Sequence, residues 1–151
     1  MIKEDSKAPD FSLQGSDGKT HTLSEFKGKY LVLYFYPKDD TPGCTTEAKC
    51  FNGSIMKLRG MGAEVVGVSA DSLESHGKFR TKYGLGFLLL SDPGHETIKK
   101  YGAYGDRGIF GKGTLRQTFV IGKDGKVLKV FEKVKPDGHD EEVMGFLKSL
   151  A

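Results

Sequence analysis

The sequence predicts an α/β fold, a mixed central sheet flanked by helices with an N-terminal β-hairpin. Three observations carry this reading. Segments with the period of a strand alternate with segments of helical period along most of the chain. One of them, the run YLVLYFY from Tyr30 to Tyr36, is apolar or aromatic at every position, the pattern of a strand covered on both faces. Near the end the alternation gives way to two strands around a tight turn and a last helix, so the sheet must mix parallel and antiparallel pairs. At 151 residues, with no second core, repeat or low-complexity segment, the chain reads as one domain, 1–151.

In chain order, DFSLQGSDGKTHTL holds two short alternating segments around Ser16-Asp17-Gly18-Lys19, a hairpin signal. Lys29 to Tyr36 is the doubly buried strand. From Thr41 the period changes: Ala48, Phe51, Ile55 and Leu58 recur at three and four, one helix that Gly60-Met61-Gly62 ends. EVVGVSAD is then a strand, SLESHGKFRTKYG a helix, FLLLSD a strand and HETIKKYG a short helix. Tyr104 to Thr114 carries Gly105, Gly108, Gly111 and Gly113 and is expected to be a loop. RQTFVIG and KVLKVFE are strands joined by the turn Lys123-Asp124-Gly125, and a helix from about Asp137 closes the chain.

Composition narrows the function. Hydrophobic residues at 37% and charged ones at 28% are ordinary for a globular protein and exclude disorder. Twenty-three Lys and Arg against twenty Asp and Glu give +3, with the signs interspersed, so neither nucleic acid nor an anionic membrane is an expected partner. MIKEDSKAPDFSLQG has no apolar signal core and the longest apolar run is too short to span a bilayer, which makes the cytoplasm the expected location. Two cysteines in such a compartment are not a disulfide framework.

Both cysteines lie in YFYPKDDTPGCTTEAKC, at the exit of the apolar strand. With Thr41 as the N-cap, Pro42, Gly43 and Cys44 fill the first three helical positions, and the Thr41 hydroxyl is placed to accept from the Cys44 N–H. A cysteine in the first turn of a helix faces free N–H donors and the positive end of the dipole, which favours the thiolate. The plain alternative is a small buried apolar residue, as free cysteines often are. A loop-to-helix junction at the carboxyl end of a buried strand is, however, where open α/β sheets place their sites.

Pro37, Thr41 and Cys44 match the P-x-x-x-T-x-x-C signature of peroxiredoxins, and FYPKDDTPGCTTEA resembles the bacterioferritin comigratory protein subgroup. APDFSL, VVGVSADS, FLLLSD, the Gly-rich segment and RQTFVIG extend the similarity over nearly the whole chain. The resemblance implies a thioredoxin-like fold and thiol-based reduction of hydrogen peroxide or organic hydroperoxides, with no metal or organic cofactor. It implies Cys44 as the peroxidatic residue, oxidised to sulfenic acid, Pro37 as its cover, and Thr41 as a hydroxyl beside the peroxide. It implies Arg116, in R-x-T-F-V-I, as the cation; Arg59, Arg80 and Arg107 have no such match. Glu47 fits the family string and is a supporting residue, since a carboxylate there disfavours a thiolate unless it is paired, for instance with Arg116.

One departure concerns Cys50. Two-cysteine members of this kind commonly place the resolving cysteine five residues after the first, whereas here position five is Lys49 and Cys50 is the sixth. On an intact helix about 9 Å of rise separates the two, beyond disulfide reach, so bridging requires the first turns to unwind. Cys50 is either that resolver or a packed helix residue in a protein that relies on an external thiol. The implied partners are a peroxide and a thioredoxin-like or other thiol reductant, and the implied assembly a monomer or weak homodimer.

His21, His76, His95 and His139 form no metal-binding pattern with the cysteines, and the Gly-rich segment has no phosphate-binding signature. Phe35, Phe51 and Phe87 are either core or an apolar surround for organic peroxides. Two rival functions remain: a thiol-disulfide oxidoreductase, which should carry the C-x-x-C that is missing here, and a redox-sensing or chaperone-like binding protein on the same fold.

Overall fold

The computed structural model describes residues 2–150. A hairpin of β1 (Ser12–Gly15) and β2 (Thr20–Thr22) precedes β3 (Tyr30–Phe35), α1 (Pro42–Gly53), α2 (Ile55–Gly60), β4 (Ala63–Ser69), α3 (Leu73–Tyr83), β5 (Leu88–Ser91) and α4 (Glu96–Lys100). There follow β6 (Tyr104–Asp106), β7 (Lys112–Thr114), β8 (Gln117–Ile121), β9 (Val127–Phe131) and α5 (His139–Ser149). Seven strands form one sheet in the order β2-β1-β5-β4-β3-β8-β9. β3, β4 and β5 are parallel, joined by helical crossovers, while β1, β8 and β9 run antiparallel to their neighbours. Mixed α/β architecture with a thioredoxin-like centre is therefore what the sequence builds.

Residues of β3 and Tyr36, just past it, split between two cores. Val32, Tyr34 and Tyr36 pack with Cys44, Phe51, Leu58, Phe79, Val143 and Leu147 beneath the helices α1, α2, α3 and α5. Leu31, Leu33 and Phe35 pack on the other face with Ile98, Tyr101 and Phe119. This is why the strand has no polar position: each face of the pleat meets its own apolar layer. The segment ahead of β1 lies along β9, with Asp5 N–H donating to the Val127 carbonyl and Val127 N–H to that of Ser6. Among the described residues no helix is long and apolar enough to cross a membrane.

Two expectations need correction. The helix expected from Thr41 to Gly60 is two helices, interrupted at Ser54, whose backbone is non-helical in ψ (φ −103°, ψ 3°) and whose hydroxyl is drawn to Asp140 of α5. The apolar period runs through the break because both helices cover the same core, so periodicity alone does not reveal it. The Gly-rich segment is not a loop but the hairpin β6–β7, with Gly105 facing Gly113 and a 3-10 turn Gly108–Phe110 between the strands. Gly108 and Gly111 supply positive φ at the turn (66° and 73°), and Leu115 fills the space beside Gly105.

Candidate active site

β8 lies antiparallel beside β3, with Gln117 opposite Phe35. Arg116, immediately before β8, therefore stands level with the exit of β3, where the chain turns into α1. Cys44 occupies the first turn of α1 and is 1% exposed. Glu47, three residues on, shares its helix face and is fully buried.

The guanidinium of Arg116 spans both side chains. Its Nη2 donates to Cys44 Sγ at 3.4 Å and its Nη1 to Glu47 Oε1 at 2.7 Å. A Cβ on Gly43 would lie 3.0 Å from Nη2, so the glycine before Cys44 is what lets the cation come this close. Burial pushes the Glu47 carboxyl up to about 7, although Arg116 pulls it the other way. Arg116 is itself partly desolvated, which opposes its charge, but Cys44 and Glu47 together hold it above the ordinary value. Arg59, Arg80 and Arg107 are engaged elsewhere: with Glu64, with the Leu85 carbonyl and over the Phe110 ring.

The remaining expected residues fall as follows. Pro37, half-buried, is the second residue past β3. Thr41 is the N-cap of α1, but its hydroxyl does not accept from the Cys44 N–H; it donates to the Lys38 carbonyl at 2.8 Å. The reason is local: Asp40 takes a left-handed conformation (φ 59°), which curls the loop back and brings that carbonyl beneath the hydroxyl. Cys50 is half-buried on the following turns, with Sγ 3.9 Å from Asp137 Oδ1, and both cysteines are free thiols. Phe35, Phe51 and Phe87 are core residues, Phe35 on the sheet face away from Cys44.

Three features were not foreseen. The Tyr34 hydroxyl and Glu47 Oε2 are buried without hydrogen-bond partners, and burial, followed by the charges of Glu47 and Cys44, drives the Tyr34 phenol well above its usual range. Tyr34 stacks on Phe51 (4.9 Å between centroids), with Gly67 across the β3–β4 pair giving its ring room. The loop between β3 and α1 is tied down by Asp39, whose carboxylate meets the Tyr36 hydroxyl at 2.5 Å, Ser75 Oγ at 2.7 Å and His76 Nδ1 at 2.7 Å. Asp71 accepts from Asp39 N–H at 2.8 Å. Asp39, Asp71 and His76 are a possible metal-ligand cluster by distance, but these atoms are already committed to hydrogen bonds. A PKDD run marks a turn; nothing local in it points to a histidine 37 residues away.

Comparison with known proteins places the whole chain. The profile of the AhpC/TSA family matches residues 5–130. The peroxiredoxin Bcp of Bacillus subtilis is 47% identical over 148 residues, covering 96% of this chain and 94% of that protein. The chloroplastic peroxiredoxin Q of Suaeda salsa is 44% identical over 99% of this chain and 69% of its own. Among solved structures, a PrxQ mutant of Xylella fastidiosa superposes with a TM-score of 0.95 at 34% identity, covering 99% of this chain and 97% of its own. The Xanthomonas campestris bacterioferritin comigratory protein, described for alkyl peroxide reduction, gives 0.91 at 36% over 97% and 98%. With the family profile over most of the chain and these relatives matched over nearly its full length, the chain belongs to the AhpC/TSA family, among the Bcp and PrxQ peroxiredoxins.

Proposed function

We propose that this chain reduces hydrogen peroxide and organic hydroperoxides through Cys44, and the observation that carries the reading is Arg116 held 3.4 Å from the buried Cys44 sulfur. The thiolate attacks one peroxide oxygen, the O–O bond breaks, and its electron pair leaves on the other oxygen, which departs as water or an alcohol. Cys44 is left as sulfenic acid. A fixed guanidinium offers its fork to both the sulfur and the leaving oxygen, which lowers the barrier. Because the Thr41 proton is committed to the Lys38 carbonyl, the hydroxyl presents its lone pairs, suited to accept from the O–H of the incoming peroxide. Pro37 covers the thiolate from water, and Glu47 acts by holding Arg116.

Resolution falls to Cys50 and then to a thioredoxin-like or other thiol donor; residues 1–151 act as one domain, a monomer or weak homodimer, in the cytoplasm. Cys44→Ser, nearly isosteric, should keep the fold and abolish peroxide consumption in the presence of dithiothreitol. Retained turnover with any thiol donor overturns the reading. Disulfide reduction without peroxide consumption would instead favour the oxidoreductase alternative.

A further inference from the structure

We propose that Asp137 is the proton acceptor for Cys50 when Cys50 attacks the oxidised Cys44. The inference rests on the reading that Cys50 resolves.

The two halves of α1 are held unequally. Its first turn has no side-chain cap, because Thr41 is turned to the Lys38 carbonyl. The second half is anchored by Phe51, fully buried, stacked on Tyr34 and edge-on to the ring of His139. When the helix opens, Cys44 therefore travels and Cys50 stays. Cys50 stays beside the segment linking β9 to α5, which runs along α1 in the folded state: Pro136 Cγ lies 3.5 Å from where a Gly43 Cβ would be, and Asp137 Oδ1 lies 3.9 Å from Cys50 Sγ. That segment is pinned at its far end by His139, whose ring bonds Thr118 Oγ1 and Glu142, each at 2.8 Å. Lys133, Lys135, His139 and Glu142 line the same depression as Asp137.

In the resolving step a Cys50 sulfur lone pair forms the S–S bond as the S–O bond of the Cys44 sulfenic acid breaks. The Cys50 proton passes to the Asp137 carboxylate and from there to the departing hydroxide, which leaves as water. Cys44 sulfur is reduced and Cys50 sulfur oxidised by the same electron pair, so no further reagent is needed.

A charge that only repelled the thiolate would have the opposite signature, which makes the test decisive. The full chain is mixed with one equivalent of hydrogen peroxide, quenched in acid at intervals and weighed by mass spectrometry, which separates sulfenic acid from disulfide. Asp137→Asn should form sulfenic acid at the wild-type rate but disulfide about tenfold more slowly, with Asp137→Glu restoring most of the loss. Disulfide formation in Asp137→Asn as fast as wild type, or faster, overturns the proposal while leaving Cys50 as resolver. A wild type that stops at sulfenic acid overturns the resolver reading and this inference with it.

Discussion

At the scale of single residues, one guanidinium bridges Cys44 and Glu47, and on the proposed mechanism its loss should be read in the first step of the reaction. Arg116→Ala is expected to slow the oxidation of Cys44 by peroxide about a hundredfold in rapid-quench kinetics, with Arg107→Ala as a quiet control because that side chain lies over Phe110. An unchanged rate would remove Arg116 from the mechanism. Glu47 gives a pH dependence of definite sign. Its carboxyl titrates at about 7 when folded against an ordinary 4.5, so the folded state holds the extra proton in between. Stability is then full below about 4.5 and is lost as pH rises through 7, by at most about 3 kcal/mol. Thermal unfolding of the wild type should fall between pH 5 and pH 8, and Glu47→Gln should flatten that fall; parallel curves for the two proteins would contradict the assignment. Cys44, Glu47 and Arg116 were all legible as letters in a motif. Their mutual geometry was not, because it depends on β8 lying beside β3, a pairing between segments more than eighty residues apart.

At the scale of elements, the proposed mechanism asks the first turn of α1 to be ordered enough to present Cys44 and weak enough to release it. Gly43 serves both ends: it admits Arg116 and lowers helix stability. Gly43→Ala should therefore make the turn more helical by about 1 kcal/mol, yet displace the guanidinium and slow the first oxidation step. A variant as fast as wild type would show that the close approach is not needed. Cys50→Ser should react normally with peroxide, then overoxidise sooner and recycle poorly with thioredoxin; recycling at the wild-type rate would make Cys50 a packing residue. The loop ahead of α1 depends on a distant partner, since His76 gives Nε2–H to the Leu90 carbonyl and turns Nδ1 to Asp39. Asp39→Asn should cost about 3 kcal/mol by leaving that buried cluster unbalanced, seen as a lowered midpoint in urea. Strand and helix order followed from periodicity, whereas the break at Ser54 and the β6–β7 hairpin did not. The first is hidden because the same face stays buried through it, and the second because glycine carries no side-chain period at all.

At the scale of the whole molecule, the sheet ties distant parts of the chain together: seven strands drawn from between residues 12 and 131 share it, with an apolar layer on either side. Calorimetry should accordingly show one cooperative transition, and two separable ones would divide the chain against the single-domain reading. The sequence announced the sheet's centre more clearly than its margins, since YLVLYFY can only be buried twice, while a short strand such as Thr20–Thr22 or Val127–Phe131 reads the same in many folds. The outer margin beside β9 is where the segment ahead of β1 has its effect. By taking up the Val127 carbonyl and N–H, residues 5 and 6 cover the start of that edge strand. Trimming that short stretch should bare the start of the outermost strand and let it pair with another copy, seen as a rise in mass by light scattering.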